Sequence, residues 1–502
     1  MKLLLPALCL LVTQLFAQNP GDAFFTEGIV HEIRFQFNQP GYFDSLKANY
    51  ALDVHMRCDV TVDGVPFPTS GVKYKGNSSY NNPSKKKPFR IDFEEYIADQ
   101  ELDGMDKIVL NNAFKDPTFL REKLMLDFLN DHQIPAPRAS FAKLYINNHY
   151  WGLYSVVEDV NKTFLKTHFD NKSGNLFKGD PRGTLVWKGA DPGLYQTDYE
   201  LKTNETENDW SDLIHLLDVL NNTPNAQLPD SLSKYLNLDN WFSYWAAHNL
   251  FVNLDSYVGS GHNYFLYHNK DTDKFEWISW DVNEAFGNFQ MGISLANIKV
   301  LPIGHIPQPM NQRPIMNRLW TNATLKQQYI QRYCALINDF SNAKMDGRID
   351  ELANLIRPHV YADTLKFYTN NQFEQNLNQD MNIPQPGASG IAGLKPFISA
   401  RRASLLQQLA QLGCTPTAAD EPEAESWVVF PNPADESLNL ITQNDAWEWA
   451  EIYDASGKLM TKEYIKNNYN INFNLASFAT GWYVIRVTGE QTSRASKFLV
   501  SH

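Results

Sequence analysis

"FVNLDSYVGSGHNYFLYHNKDTDKFEWISWDVNEAFG", running from Phe251 to Gly287, decides how this chain is read. An aromatic helix ending at Leu250 releases a loop carrying Asn253, Leu254 and Asp255. Two runs of strand composition follow, Asn263 to His268 and Phe275 to Trp280, about the turn-rich "NKDTDK". Paired antiparallel around that turn, Asn263 faces Trp280 and His262 faces Asp281. Asn263 and Asp281 then share the open end of the hairpin, beside the loop of Asp255. A slip of one residue would turn the aromatic face outward, which specifies the register. Two carboxylates and an amide oxygen there are hard ligands of the kind Mg²⁺ takes together with phosphate oxygens and water. An aspartate on the loop before the hairpin can also accept a proton from a hydroxyl. The competing reading is a surface hairpin with ordinary acidic punctuation.

The chain order Asp, Asn, hairpin, Asp, Phe-Gly is that of a protein kinase catalytic centre, although the HRD triplet is missing and "DVNEAFG" is not DFG. Upstream, "VKYKGNSSY…SKKKPFRIDF" places Gly76, Asn77, Ser78 and Ser79 in a turn between two strands, where backbone N–H groups and hydroxyls can cradle phosphate. The second strand carries Lys87 and Arg90, cations able to pair with ATP phosphates; Lys85 and Lys86 read as a solvated basic face, and Lys75 is left open between the two. A helix follows, with Asp116 as N-cap and Pro117 at its first position. Leu120, Leu124 and Phe128 share one face, with Arg121, Glu122 and Lys123 off it. Glu122 falls in chain order where a kinase helix anchors its phosphate lysine. Lys178, in "GNLFKGD", is read as a nucleotide contact. His248 and His262 are not spaced as a zinc pair and are read as satisfied structural histidines.

The rest of the chain sets the frame. It has 502 residues, 43% hydrophobic and 13% aromatic, enough for more than one packed domain. A net charge of -13 argues against a nucleic-acid or anionic-membrane binder. "MKLLLPALCLLVTQLFAQNP" has the form of a secretory signal peptide, residues 1–17. No other apolar run approaches membrane-spanning length, so the expectation is an exported protein without a transmembrane segment. Cys58, Cys334 and Cys414 remain after the signal; one disulfide can form and the pair is open. Residues 18–160 read as strand-rich with one inserted helix, including a hairpin about Asn147-Asn148, and residues 161–412 as mostly helical. Residues 413–427, "GCTPTAADEPEAESW", have linker composition, and residues 428–502 alternate like a small all-β sandwich.

Two resemblances join these observations. "FPNPADESLNL", "EIYDASGKLM" and "FATGWYVIRV…KFLV" resemble the type A sorting domain of the type IX secretion system of Bacteroidota. That resemblance implies export across the outer membrane by the type IX machinery, to the medium or the cell surface. "VKYKGNSSY", "KKKPFRIDF", "LREKLMLDFL", "YINNHYWGLYSVVEDV", "GNLFKGD", "NLDSYVGSGHNYFLYH" and "WISWDVNEAFG", taken in order, resemble the spore-coat protein H (CotH) kinase-like family. It implies an α+β, atypical two-lobed protein-kinase-like fold, β-rich lobe first and helical lobe second, that binds ATP with Mg²⁺ (or Mn²⁺) and phosphorylates a protein acceptor. By position Asp255 takes the catalytic or metal role, Asp281 and Asn263 hold the metal, Lys87 meets the phosphates and Glu158 lies at the hinge facing adenine. The sequence departs from the family at Asn283, where members commonly carry a second aspartate; an amide there can coordinate through oxygen but brings no charge. A catalytically degenerate surface or adhesion protein is therefore the alternative, and a glycan- or protein-binding module the third reading.

Overall fold

The computed structural model describes residues 19–385, 388–414, 427–430, 433–442, 447–466, 468, 470–489 and 493–501. The signal peptide and nearly all of the expected linker lie outside them. The chain divides into two compact units, Met1–Thr417 and Ala418–His502.

Alternating apolar residues make the first part of the larger unit a barrel. Its strands are β1 (Val30–Gln36), β2 (Met56–Val62), β3 (Val65–Tyr74), β4 (Phe89–Asp92), β5 (Lys107–Asn111), β6 (Ala139–Ile146) and β7 (His149–Glu158). They close in the order β1-β2-β3-β4-β5-β7-β6, with β1 and β6 parallel. Every second residue of β1 and β2 points inward, so that Ile33, Phe35, Val60 and Val62 fill the barrel with Phe89, Ile91 and Tyr154. The hairpin expected at Asn147-Asn148 joins β6 to β7, both turn residues being left-handed (φ 47° and 66°) as a two-residue hairpin loop requires.

The inserted helix begins later than its sequence signals suggest. It runs Arg121–Asp131, because Phe119 adopts φ 62° and interrupts the helical path after Pro117. Asp116 still serves the turn, accepting from the Thr118 and Arg121 backbone amides and from the Arg121 guanidinium. Leu120, Leu124 and Phe128 are buried as expected, but so are Arg121, Glu122 and Lys123, since both flanks of this helix pack against protein.

The second part is mostly helical around a small antiparallel sheet. β8 (Leu176–Gly179), β9 (Tyr199–Leu201), β10 (Tyr264–Asn269) and β11 (Lys274–Ser279) lie in the order β11-β10-β8-β9. The helix Leu238–Leu250 is capped by Asn237 and buries Trp241 and Trp245, which pack with Trp277 and Tyr329. Cys334 and Cys414 form a disulfide, and Cys58 is free and buried. The smaller unit holds two antiparallel sheets, of three and four strands, over a core that includes Leu438, Leu440, Ile452, Phe473, Ile485 and Phe498.

Candidate functional site: a charged cleft between the barrel and the helical part

The hairpin has the register its aromatic pattern demands. Tyr264 faces Ser279 and each later pair steps outward to Asn269 and Lys274, which places Asn263 and Asp281 at the open end. Both adopt left-handed backbone conformations, φ 59° and 50°. Such angles are uncommon outside glycine and concentrate at functional sites. They turn these residues out of the ladder and into a cleft of about 1150 Å³ whose lining also includes Lys75, Arg90, Lys178 and Asp255.

Across the cleft stands Lys75, one residue beyond β3, over the Trp280 ring at 5.4 Å. Its ammonium donates to Asn111 Oδ1 at 3.1 Å, and Asn111 Nδ2 donates to both Glu122 oxygens at 2.8 and 3.0 Å. Lysine only donates and carboxylate only accepts, so this chain fixes which way the Asn111 amide points. Burial lowers the Lys75 pKa against the pull of Asp281. Burial, reinforced by Asp281, pushes the Glu122 carboxyl up to about 7. Burial also raises Asp281, with Asp255 adding to the shift and Lys75 opposing it. These three groups therefore sense one another, as the parts of a single polar site do.

Lys87 is a correction. Its ammonium donates to the backbone oxygens of Tyr80, at 2.6 Å, and of Asn82, tying down the loop between β3 and β4, and it is not among the cleft-lining residues. Lys75 lines the cleft instead and is the cation that acts most strongly on Asp281, ahead of Lys178. Lys86 is a second correction. Its side chain is wholly buried against Asp363 at 2.6 Å and is no solvated face. Glu158 also departs from its expected place. Buried, it pairs with Arg138 at 2.6 Å, while its neighbours Asp159, Val160 and Asn161 line the cleft. Arg90 lines the cleft but is engaged by Asp159 at 3.1 Å, and Lys178 by Asp180 at 2.5 Å. Asn77 and Ser78 lie exposed on the cleft rim.

Asp255 and its neighbours form a compact group. Asn263 Nδ2 donates to the Asp255 backbone oxygen at 2.8 Å and His262 Nε2 lies 2.9 Å from Asp255 Oδ1. Asn283 Nδ2 donates to Asp281 Oδ1 at 2.8 Å, which leaves its own amide oxygen for other partners. His248 is structural as expected, fully buried on Ser279 and held neutral by burial, its pKa pushed down to about 3. His262 is not, for it lines the cleft.

Two further groups escaped the sequence reading. Lys115, left-handed at φ 65°, meets Glu284 at 2.8 Å, with the Phe114 and Phe289 rings on either side. Glu284 Oε2 is buried with no hydrogen-bond partner among the described residues. Burial raises this carboxyl to about 7 despite Lys115. Glu284 sits inside the quoted "DVNEAFG" and was visible there; Lys115 was not, because its approach depends on the turn.

The donor set suits a divalent ion shared with a phosphate. Asp281, the amide oxygen of Asn283 and the unpartnered Glu284 oxygen are all hard ligands, carried by residues that line the cleft. Among the described residues the one His/Cys/Asp/Glu triplet whose ligand atoms lie within 4.8 Å of one another is His55, Asp92 and Glu95, none of which lines this cleft.

With this geometry in place, similarity to known proteins is informative. Residues 72–382 match the family described as CotH kinase protein, and this chain belongs to that family. Residues 428–501 match the secretion system C-terminal sorting domain. The chain is 26% identical over 311 residues to the inner spore coat protein H of Bacillus subtilis, covering 59% of this chain and 78% of that one. It is 24% identical over 343 residues to the invasin CotH3 of Rhizopus delemar, covering 61% of this chain and 55% of the fungal protein. The chain thus spans little more than half the length of that fungal relative. No helix among the described residues is long and apolar enough to cross a membrane.

Proposed function

We propose that this protein is an exported phosphotransferase of the atypical kinase kind, which binds ATP with Mg²⁺ or Mn²⁺ and transfers the γ-phosphoryl group to a hydroxyl of a protein acceptor. The observation that carries the reading is Lys75, backed by Asn111 and Glu122, facing Asp281 across a cleft. Phosphoryl transfer needs little covalent chemistry from a protein; it needs positioning and charge stabilisation. Lys75 is placed to meet phosphate oxygens, with the Gly76–Ser79 turn beside it. Asp281 and Asn283 would hold the metal, with Asn263 fixing the Asp255 loop through its hydrogen bond. When bound, the metal neutralises charge on the transferring phosphate. Asp255 orients the acceptor hydroxyl and accepts its proton. Family membership supports the reading, and the sorting domain supports delivery to the medium or cell surface by the type IX machinery.

A second reading, a kinase-like surface protein without turnover, draws on Asn283, which supplies no charge where the family commonly has an aspartate. One experiment separates the two. ATP with Mg²⁺ or Mn²⁺ raises the melting temperature of the full chain and Asp281→Ala abolishes the rise. Transfer of labelled phosphate to surface proteins is then lost in Asp255→Ala. No rise with any divalent ion removes the kinase reading, and binding without transfer favours the second.

A further inference from the structure

We propose that His262 is a positioning residue for Asp255, holding its carboxylate toward the acceptor hydroxyl; this rests on reading the cleft as a phosphotransfer site. The geometry is specific. His262 Nε2 is 2.9 Å from Asp255 Oδ1, and a carboxylate only accepts, so Nε2 carries the hydrogen. Ser260 Oγ reaches the same oxygen more distantly, at 3.4 Å, while Asn263 Nδ2 approaches Oδ2 at 3.3 Å. Among the described residues the imidazole thus makes the one short side-chain contact to this carboxylate.

The loop bearing both residues is built to hold that contact. Gly261 sits at φ 92°, and a Cβ there would meet the Arg313 guanidinium at 2.6 Å. Arg313 is buried and donates to the backbone oxygens of Tyr257, at 2.8 Å, and Gly259, at 2.5 Å. Asn263, on the other side, is fixed at φ 59° with its amide on the Asp255 carbonyl. His262 is therefore placed by backbone pinned on both sides, with its ring in the cleft. It is the more open member of the pair, its side chain 30% exposed against 19% for Asp255. A histidine held only for packing would be expected to turn inward, as His248 does.

The test uses the full chain with His262→Leu, which removes the donor, and His262→Gln, whose side-chain amide can restore it. His262→Leu should lower kcat on the order of tenfold to a hundredfold while leaving the KM for ATP within about twofold, since the loss is one of orientation. His262→Gln should recover most of the rate. Crystal structures of the three proteins supply a readout independent of turnover: the Asp255 carboxylate changes rotamer in His262→Leu and keeps it in His262→Gln. An unchanged rotamer in His262→Leu, a His262→Leu enzyme as fast as wild type, or a His262→Gln enzyme as slow as His262→Leu overturns the proposal. Absence of transfer in the wild-type protein is a failure of the proposed function instead, and the rotamers then decide the role of His262.

Discussion

The ion pair between Lys86 and Asp363 offers a prediction whose size can be worked out. Both side chains are wholly buried, 2.6 Å apart, and Lys86 also lies near the Phe119 and Tyr154 rings. Asp363 accepts from the Leu153 and Leu365 backbone amides as well, so both carboxylate oxygens are engaged. Gly152 leaves the necessary room, since a Cβ there would stand 2.5 Å from an Asp363 oxygen. At an effective dielectric of ~20, Coulomb's law gives roughly 6 kcal/mol of attraction at this separation, most of it offset by desolvating the two charges. Removing one partner is different, because it leaves the other buried charge uncompensated. Asp363→Asn should therefore cost about 3–5 kcal/mol, and Lys86→Met a similar amount. The double variant Lys86→Met/Asp363→Asn, which buries no charge and keeps an amide oxygen as acceptor, should lose clearly less than the two single losses added together. Urea unfolding of the full chain and a double-mutant cycle measure this. Single variants each within about 1 kcal/mol of wild type, or strictly additive losses, would refute the reasoning. The pair also anchors the loop leading to β4, since Asn112 holds the Lys86 carbonyl at 2.7 Å, so the cleft wall should loosen with it.

Two other predictions concern stability. Glu276, buried beside Asn237, has its carboxyl pushed up by burial to about 7. The folded state then holds a proton that the unfolded chain releases at lower pH, so stability present at about pH 4 is lost as pH rises through 7. Glu276→Gln should flatten this fall by up to ~3 kcal/mol, seen as a smaller difference between unfolding curves at pH 5 and pH 8; an equal fall in both proteins contradicts it. The Cys334–Cys414 disulfide closes a loop with a sequence separation of 80. Chain entropy then predicts a loss of about 4.5 kcal/mol on replacing both cysteines by serine, checked by denaturant unfolding under oxidising conditions.

What the sequence disclosed follows from how local each signal is. The hairpin of Asp281 was legible because its aromatic alternation tolerates one register only, and the Asn147-Asn148 turn because its chemistry is local. The lysine facing Asp281 was not. Four lysines, at 75 and 85–87, flank an irregular loop, and neither alternation nor helical spacing says which of them turns inward. The loop sends Lys86 into a buried pair and Lys87 onto backbone carbonyls, leaving Lys75 to the cleft. Asn111 and the Lys115–Glu284 contact are likewise tertiary facts, made by residues whose partners lie on other elements. The helix start was misplaced because a left-handed Phe119 is invisible beside the stronger Asp-Pro signal.

The central claim is that Lys75 and Asp281 form a nucleotide site. Isothermal titration of ATP into the full chain, with and without Mg²⁺ or Mn²⁺, tests it most directly in wild type, Lys75→Met, Asp281→Ala and Lys87→Met. Saturable, metal-dependent binding should be lost in Lys75→Met and Asp281→Ala and retained in Lys87→Met. Binding that survives Lys75→Met but not Lys87→Met, or no binding by the wild-type protein with either metal, would contradict the account.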